Sequence, residues 1–420
     1  MKIFGRYMLV FLVLVGASIA WMTLGATLSV RTSNARSALT DDVAELWGSP
    51  HTQPRPKGVV VWTEEREEVE VIYDLETKSN VEKTRFVEEE FRESLEPASS
   101  ILAVRLGKDE RRRGLMWFPL YDVHFAGAYQ FANTTDKTGQ LEMSLAFPTG
   151  QGIYDDFRFV VDGTDRAVLG ENGGAGWTVP IEPGQVVELE VGYRSRGLGT
   201  WKYEPTHGVS TVQDFALTMY TDFEAIDFPA GTMSPSTRER TDDGWRLQWN
   251  FDRVVTGHAI GMQLPERTQP GELAERLTYS SPVSLGLFFV VITALAIRHE
   301  RNLHPVHYTF LAAAFFAFPL LLAYLVDHLL LTWAFGISGA VSMLLVVSYL
   351  RLVVSDGFAF GPAAAAQGIY QVGFGLAHFW TGFTGLSVTI LGILTLFFMM
   401  QVTGRTDWEE VFASEKPSPA

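Results

Sequence analysis

The stretch that decides the fold lies near the start of the chain, where residues Tyr7–Val30 read YMLVFLVLVGASIAWMTLGATLSV. These 24 residues carry no charge. As an α-helix they would be about 36 Å long, which is enough to cross the hydrocarbon core of a bilayer. Lys2 and Arg6 precede them, as in a signal peptide, and Ser18-Ile19-Ala20 is a weak cleavage motif. Because the apolar run is too long for a signal sequence alone, we predict an uncleaved anchor over residues 1–30.

Five further apolar segments lie towards the other end of the chain, and short connections separate them. Short connections between helices favour antiparallel neighbours. We therefore predict a C-terminal five-helix bundle over residues 279–402, six membrane spans in all, and a tail over residues 403–420. The five segments are Tyr279–Ile297, Val306–Val326, Leu329–Leu350, Phe358–Trp380 and Gly385–Met400.

The basic residues outside the middle of the chain indicate an orientation. With a cytoplasmic N-terminus, the two short outer connections, around Asp327-His328 and Thr381-Gly382, carry no Lys or Arg. All seven basic residues then lie on the cytoplasmic side, as the positive-inside rule requires. We predict a bacterial inner-membrane protein with both termini cytoplasmic and residues 31–278 in the periplasm. The seven are Lys2, Arg6, Arg298, Arg301, Arg351, Arg405 and Lys416.

The middle of the chain is strongly acidic. Residues 31–280 contain 26 Lys and Arg against 41 Asp and Glu, whereas the remaining segments are neutral. A surface of this charge argues against nucleic acid or anionic lipid as the main partner of this domain. The expected partners are the bilayer itself and an unidentified envelope protein or lipid. Cysteine is absent, which excludes disulfides, thiolate metal sites and cysteine nucleophiles.

Alternating polar and apolar residues predict strands across the middle domain. After the anchor, residues 31–57 are predicted as a juxtamembrane helix and linker, with Thr40 capping a short helix that Gly48 ends. From Gly58 the pattern is typical of a mostly antiparallel β-sandwich over residues 58–278. The predicted strands include Val59–Trp62, Glu68–Tyr73, Leu141–Phe147, Phe157–Val161, Val186–Tyr193, Phe215–Tyr220 and Trp245–Phe251.

Several motifs resemble the CreD family of inner-membrane proteins, which is linked to cell-envelope integrity. They are Leu46-Trp47-Gly48 with Gln53 and Gly58, then Phe228-Pro229 with Arg240, Gly244-Trp245 and Trp249, then 303–308 (Leu-His-Pro-Val-His-Tyr) with Asp327-His328, and finally Thr406-Asp407-Trp408. The order of anchor, β domain and five helices also matches. The resemblance implies location and architecture more than mechanism. Two departures are His307 in place of a usual Gln, and His378–Thr381 in place of a usual Glu-Asp pair.

Polar residues within the apolar segments are the candidate site. Asp356, Gln367, Gln371 and His378 fall within about 60° of one another on the fifth helix. They are either the lining of a polar path or hydrogen-bonding contacts between helices, and the second reading is favoured because glycines in the same helix allow close packing. Those glycines are Gly361, Gly368, Gly373 and Gly375. Asp327 and His328 meet at an outer helix connection, where they either relay protons or cap helix ends.

The remaining candidates favour structural readings. His299, His304 and His307 could share a metal, but they lack a further ligand and we interpret them as a polar loop. Arg111-Arg112-Arg113 is predicted at a hairpin tip, and Trp177, Trp201, Trp245 and Trp249 are either a glycan platform or core. No catalytic motif occurs in a credible context, so we expect no enzyme and no cofactor. The alternatives to an envelope protein are a small proton-coupled transporter and a glycan- or lipid-binding sensor.

Overall fold

A computed structural model describes residues 3–74, 79–114, 116–150, 152–166, 169–170, 174–299, 303–380 and 382–404. The chain divides into two compact units, which are Met1–Ala38 with Thr268–Ala420, and Leu39–Arg267. The predicted positions of Lys2, Arg301, Thr381, Arg405 and Lys416 lie outside the described residues, as do Thr406-Asp407-Trp408 and the C-terminal tail.

The N-terminal helix is longer than the sequence pattern predicted. Helix α1 runs without a break over Ile3–Trp47, so a separate helix capped by Thr40 was wrong. No Pro or Gly lies between Val30 and Trp47 to interrupt it, and the polar residues there are compatible with an exposed helix. Gly48 ends the helix as predicted, with a φ of 117° that favours glycine.

Five helices in the described residues are long and apolar enough to cross a membrane. The remaining predicted span, Phe358–Trp380, is helical but divided into short pieces, so the count of six stays a prediction. Helix α2 also begins nine residues before the predicted Tyr279, because a charged first turn with Pro270 and Glu272 extends it. The other four long helices after α1 are α2 (Pro270–Arg298), α3 (Pro305–Leu325), α4 (Leu331–Val353) and the last helix (Thr384–Thr403).

We call the divided segment over residues 356–379 the broken helix. Two π turns and a final 3₁₀ turn interrupt its α-helical geometry. Its pieces are Asp356–Phe358, the π turn Ala359–Ala363, Ala364–Gln367, the π turn Gly368–Gly373, Phe374–Leu376 and the 3₁₀ turn Ala377–Phe379. Pro362 lies in the first π turn, where its missing N–H breaks the regular hydrogen-bond ladder.

Aromatic and small side chains hold the membrane unit together. The rings of Phe288 on α2 and Phe315 on α3 lie 4.6 Å apart, and Trp21 on α1 lies 5.6 Å from Phe316. Of the four glycines predicted to admit a neighbour, only Gly375 does so tightly: a Cβ there would lie 3.0 Å from Phe335. The other three have more room, so the close-packing argument holds at one position.

The second unit is rich in β-structure. Its described strands form sheets in the orders β1-β12-β16, β3-β2-β6-β10-β9 and β14-β15-β13-β4-β5-β11-β7-β8. The strands are β1 His51–Pro54, β2 Lys57–Asp74, β3 Ser79–Leu95, β4 Ser99–Arg113, β5 Met116–Ala132, β6 Gly139–Ala146, β7 Asp155–Val161, β8 Thr164–Asp165, β9 Leu169–Gly170, β10 Gly174–Ile181, β11 Val186–Leu198, β12 Thr200–Glu204, β13 Ser210–Thr221, β14 Thr237–Arg240, β15 Trp245–Thr256 and β16 Ile260–Gln263.

The sheets pack as a mostly antiparallel sandwich, as predicted. Among the described pairs, β1 with β12 and β4 with β13 are parallel, and the others are antiparallel. One hydrophobic cluster contains Val60 and Leu141 from the five-stranded sheet together with Leu102 and Phe131 from the eight-stranded sheet. Burial of both inner faces in one core is the packing of a β-sandwich.

Candidate functional site

The polar stripe on the broken helix is divided by the fold. Gln367 is fully buried, and Gln371 and His378 are each 4% exposed. Asp356 instead lies exposed at the start of the segment, where its Oδ1 accepts a hydrogen bond from Arg351 Nε at 2.9 Å. Gln367, Gln371 and His378 are therefore buried within the helical unit, whereas Asp356 is an exposed ion-pair partner on the surface of the same unit.

Gln367 and Gln371 belong to a hydrogen-bond network that joins three helical segments. Gln367 Nε2 donates to Gln371 Oε1 at 2.8 Å and approaches Ser342 Oγ at 3.3 Å. Gln371 Nε2 donates to the Phe315 carbonyl at 3.0 Å. Ser342 Oγ lies 2.7 Å from the Ala314 carbonyl and 2.8 Å from Gln371 Oε1, and its single proton is donated to one of these two acceptors. Residues 314 and 315 lie on α3 and Ser342 lies on α4. The network thus links both helices to the broken helix.

Two oxygen atoms beside this network have no hydrogen-bond partner within the described residues. They are Gln367 Oε1 and Ser338 Oγ, and both residues are fully buried. An unpaired polar atom in an apolar environment is costly, so these two oxygens are the weak points of an otherwise satisfied network.

A second set of contacts surrounds the second π turn. Ser284 on α2 donates to the carbonyl of Tyr370, which lies within that turn. The Tyr370 hydroxyl is 2.6 Å from Thr395 Oγ1 on the last helix. A π turn shifts the backbone ladder, and in a membrane the freed groups must find partners in neighbouring helices. Ser284 supplies such a partner, so the irregular backbone is matched by side chains around it.

His378 does not join the network. Its Nδ1 contacts the Phe374 carbonyl of its own segment at 3.0 Å, and its ring lies 5.3 Å from the Phe374 ring. We expected each of the three buried stripe residues to contact a neighbouring helix. That expectation was wrong for His378, because the backbone carbonyl four residues earlier is already within reach.

The connection between α3 and α4 holds Asp327 and His328 in a tight turn after α3. The carboxylate of Asp327 pairs with Arg31 of α1. The backbone N–H of His328 donates to the Leu325 carbonyl at 3.0 Å, and its side chain is exposed. These contacts favour the helix-end reading of this pair over a proton relay.

The histidines after α2 also have structural contacts. His304 Nδ1 accepts from the Val306 N–H at 3.3 Å as a helix cap, and His307 Nδ1 is 2.8 Å from the Tyr349 hydroxyl. His299 Nδ1 contacts the Leu295 carbonyl at 2.8 Å. The described residues contain no group of three or more His, Cys, Asp or Glu that could hold a metal ion.

A row of buried polar residues in the β unit was missed by the sequence reasoning. His51 and Gln53 on β1 are fully buried, and Arg55, which follows β1, is 8% exposed. Gln53 Oε1 accepts from the Tyr193 hydroxyl at 2.9 Å, and Arg55 pairs with Glu96. The sequence did contain a signal for this row: the three polar residues occupy alternate positions, which places their side chains on one face of the strand.

His51 is the most perturbed member of this row. Neither ring nitrogen has an aligned hydrogen-bond partner within the described residues. The ring meets Tyr121 edge-on at 5.7 Å and lies 6.4 Å from Tyr154. Burial lowers the pKa of the imidazole from 6.5 to about 4, against a smaller opposing effect of the Arg196 backbone. Burial likewise raises the pKa of Tyr154 to about 12.

The remaining candidates in the β unit have packing roles. Trp201 and Trp249 are fully buried, while Trp177 and Trp245 pack against the same core. This arrangement favours core over glycan platform. The arginines at positions 111–113 end β4 immediately before Gly114, which confirms the predicted hairpin tip.

Comparison with known proteins supports the resemblance to CreD over part of the chain. The family model described as the inner membrane protein CreD matches residues 216–409. The resemblance to CreD is confirmed over this range. The match begins within β13 and continues to residue 409, so it contains every residue of the polar network around Gln367 and Gln371. It covers just under half of the chain.

Other comparisons add little. No curated protein matches the sequence. One matching solved structure is a protein of Legionella pneumophila subsp. pneumophila str. Philadelphia 1 that has been suggested to bind nutrients. It is 11% identical, and the alignment covers 46% of this chain and 77% of that chain with a TM-score of 0.31. A TM-score this low supports no argument about fold or function.

Proposed function

We propose that the chain is a non-enzymatic CreD-like inner-membrane protein that acts in envelope integrity or stress tolerance. Its membrane unit would anchor a β-rich domain on the periplasmic side. The CreD match and the apolar helices support a membrane protein. The periplasmic placement rests on the distribution of Lys and Arg along the sequence.

One observation favours a structural role for the buried polar side chains over a role in transport. Gln371 Nε2 donates to the Phe315 carbonyl of α3 at 3.0 Å, and Gln367 Nε2 donates to Ser342 Oγ of α4 at 3.3 Å. Side chains engaged in this way hold helices together, as polar residues commonly do in membrane proteins. A lining for a polar substrate would instead present such groups to water.

A second candidate function is proton-coupled transport, and one observation favours it. Gln367 Oε1 and Ser338 Oγ are buried without partners within the described residues. Together with two π turns, which are frequent at functional sites, they would suit a transient water chain.

The experiment is deletion of the gene in its own host, followed by measurement of propidium iodide entry and of survival after osmotic downshift. We expect deletion to raise dye entry and the full chain to restore the barrier. Restoration by a Gln367→Leu variant, at equal protein level, separates the two candidates. The envelope role predicts full restoration, whereas transport through the network predicts none. An unchanged barrier in the deletion strain would contradict the envelope role.

A further inference from the structure

An apolar groove of about 360 Å³ lies between α1, α2 and the last helix. Its walls include Leu14, Val290 and Met399, and Gly286 forms part of its floor. The α2 residues that line it run from 286 to 298, which corresponds to about 18 Å of helix. Since the hydrocarbon core is about 30 Å thick, the groove extends over roughly the depth of one leaflet.

Except for Thr293, whose Oγ1 donates to the Phe289 carbonyl at 2.6 Å, the polar lining of the groove lies at one end. Tyr7 near the start of α1, Arg298 at the end of α2 and Thr403 at the end of the last helix all line it. Thr403 Oγ1 donates to the Met399 carbonyl at 2.7 Å, so its hydroxyl is already engaged. Apolar and polar residues are thus arranged along the groove as they are along a lipid, whose acyl chain lies in the hydrocarbon core and whose headgroup lies at the interface.

Arg298 is the charged group of that rim. Its side chain is exposed, and in the part of the chain that the structure describes it makes no ion pair. By contrast, Arg351 at the end of α4 is paired with Asp356. A guanidinium binds phosphate through two parallel hydrogen bonds, and basic groups between membrane helices are common headgroup sites.

We propose that this groove binds an anionic phospholipid, with its phosphate on Arg298 and an acyl chain along 286–298. The inference rests on the membrane placement of the proposed function. Charge complementarity selects the ligand: the site offers a cation, and within the described residues no carboxylate lines the groove. A lipid with a net negative charge therefore gains more from Arg298 than a zwitterionic lipid, which carries its own cation.

The test uses the full chain in mild detergent with equimolar phosphatidylglycerol and phosphatidylcholine, and native mass spectrometry counts the bound lipids. We expect roughly tenfold more bound phosphatidylglycerol in the wild type, from the charge-assisted hydrogen bonds. Arg298→Gln should reduce the ratio to near one. Arg351→Gln is the matched control, because it removes a helix-terminal arginine that is already paired, and it should keep the ratio.

A second variant tests the groove itself. A Cβ on Gly286 would lie 3.8 Å from Leu14, so Gly286→Leu places a side chain in the groove. We expect it to reduce bound lipid of both kinds while the thermal midpoint of the protein changes little. An equal ratio of the two lipids in the wild type, or an unchanged ratio in Arg298→Gln, would overturn the proposal. Because the readout is lipid binding in purified protein, its failure is separate from failure of the dye-entry experiment.

Discussion

His51 gives the β unit a dependence on pH that can be worked out from its surroundings. The side chain is fully buried, and burial lowers its pKa from 6.5 to about 4. Between these two pH values the unfolded chain binds a proton and the folded chain does not. Stability therefore falls as the pH decreases from 6.5 to about 4, and it is fully retained above 6.5.

The size of this effect follows from the shift in pKa. Each unit corresponds to 1.36 kcal/mol, so the loss of stability approaches about 3 kcal/mol at the acid end. For a domain of this size, such a loss corresponds to a decrease of roughly 6–12 °C in the thermal midpoint. Carboxylates also titrate in this range, and for that reason the comparison must be made between variants that share them.

His51→Leu removes the imidazole and should flatten the pH dependence by about this amount. The assay is urea unfolding of the detergent-solubilised chain at several pH values, followed by fluorescence of the buried Trp201 and Trp249. The matched control is His124→Leu, since His124 is an exposed histidine in the same unit and its loss should leave the slope unchanged. Identical slopes in the wild type and His51→Leu would refute the reasoning.

Three further predictions address the membrane unit, the domain and the orientation. Gln371→Leu removes the polar contacts with Gln367, Phe315 and Ser342 and should lower stability by about 1–2 kcal/mol in detergent, whereas the exposed Gln401→Leu should not; equal midpoints for both would contradict the network. Residues 39–267 expressed alone should be soluble and β-rich by far-UV circular dichroism, and a mainly helical spectrum would contradict this. Reporter fusions after Arg301, Arg351 and Arg405 should be active in the cytoplasm and those within 60–270 in the periplasm; a cytoplasmic signal from 60–270 would reverse the orientation.

The alternation of polar and apolar residues, together with hydropathy, predicted the parts of the fold that depend on local sequence. Strands such as Val186–Tyr193 and Trp245–Phe251 lie within β11 and β15, because alternation reports directly which face is buried. The central pair of the large sheet, β4 and β5, was not among the predicted strands. Its signal was weaker because Pro119, Gly107 and Gly127 interrupt the pattern, although Val123, Phe125, Tyr129 and Phe131 alternate inwards along β5.

Features that depend on tertiary contacts could not be predicted in the same way. Hydropathy predicted a helical segment at residues 358–380 but could not predict its π turns, because these go with contacts from other helices. Ser284 donates to the Tyr370 carbonyl, and Thr395 contacts the Tyr370 hydroxyl. A polar stripe on one helix face presupposes the 100° per residue of a regular α-helix. The π turn at Gly368–Gly373 changes this angle, so the side chains of Gln371 and His378 need not point to the same neighbours.

The central claim is that Gln367 and Gln371 hold helices together, and that neither they nor the buried His378 line a water path. The chain has no cysteine, so single substitutions can be labelled without background. In right-side-out membranes, Gln371→Cys and His378→Cys should resist a membrane-impermeant maleimide, while Thr63→Cys on the exposed surface of β2 should react fully. Rapid labelling of both Gln371→Cys and His378→Cys, at the rate of Thr63→Cys, would contradict the claim and place transport first.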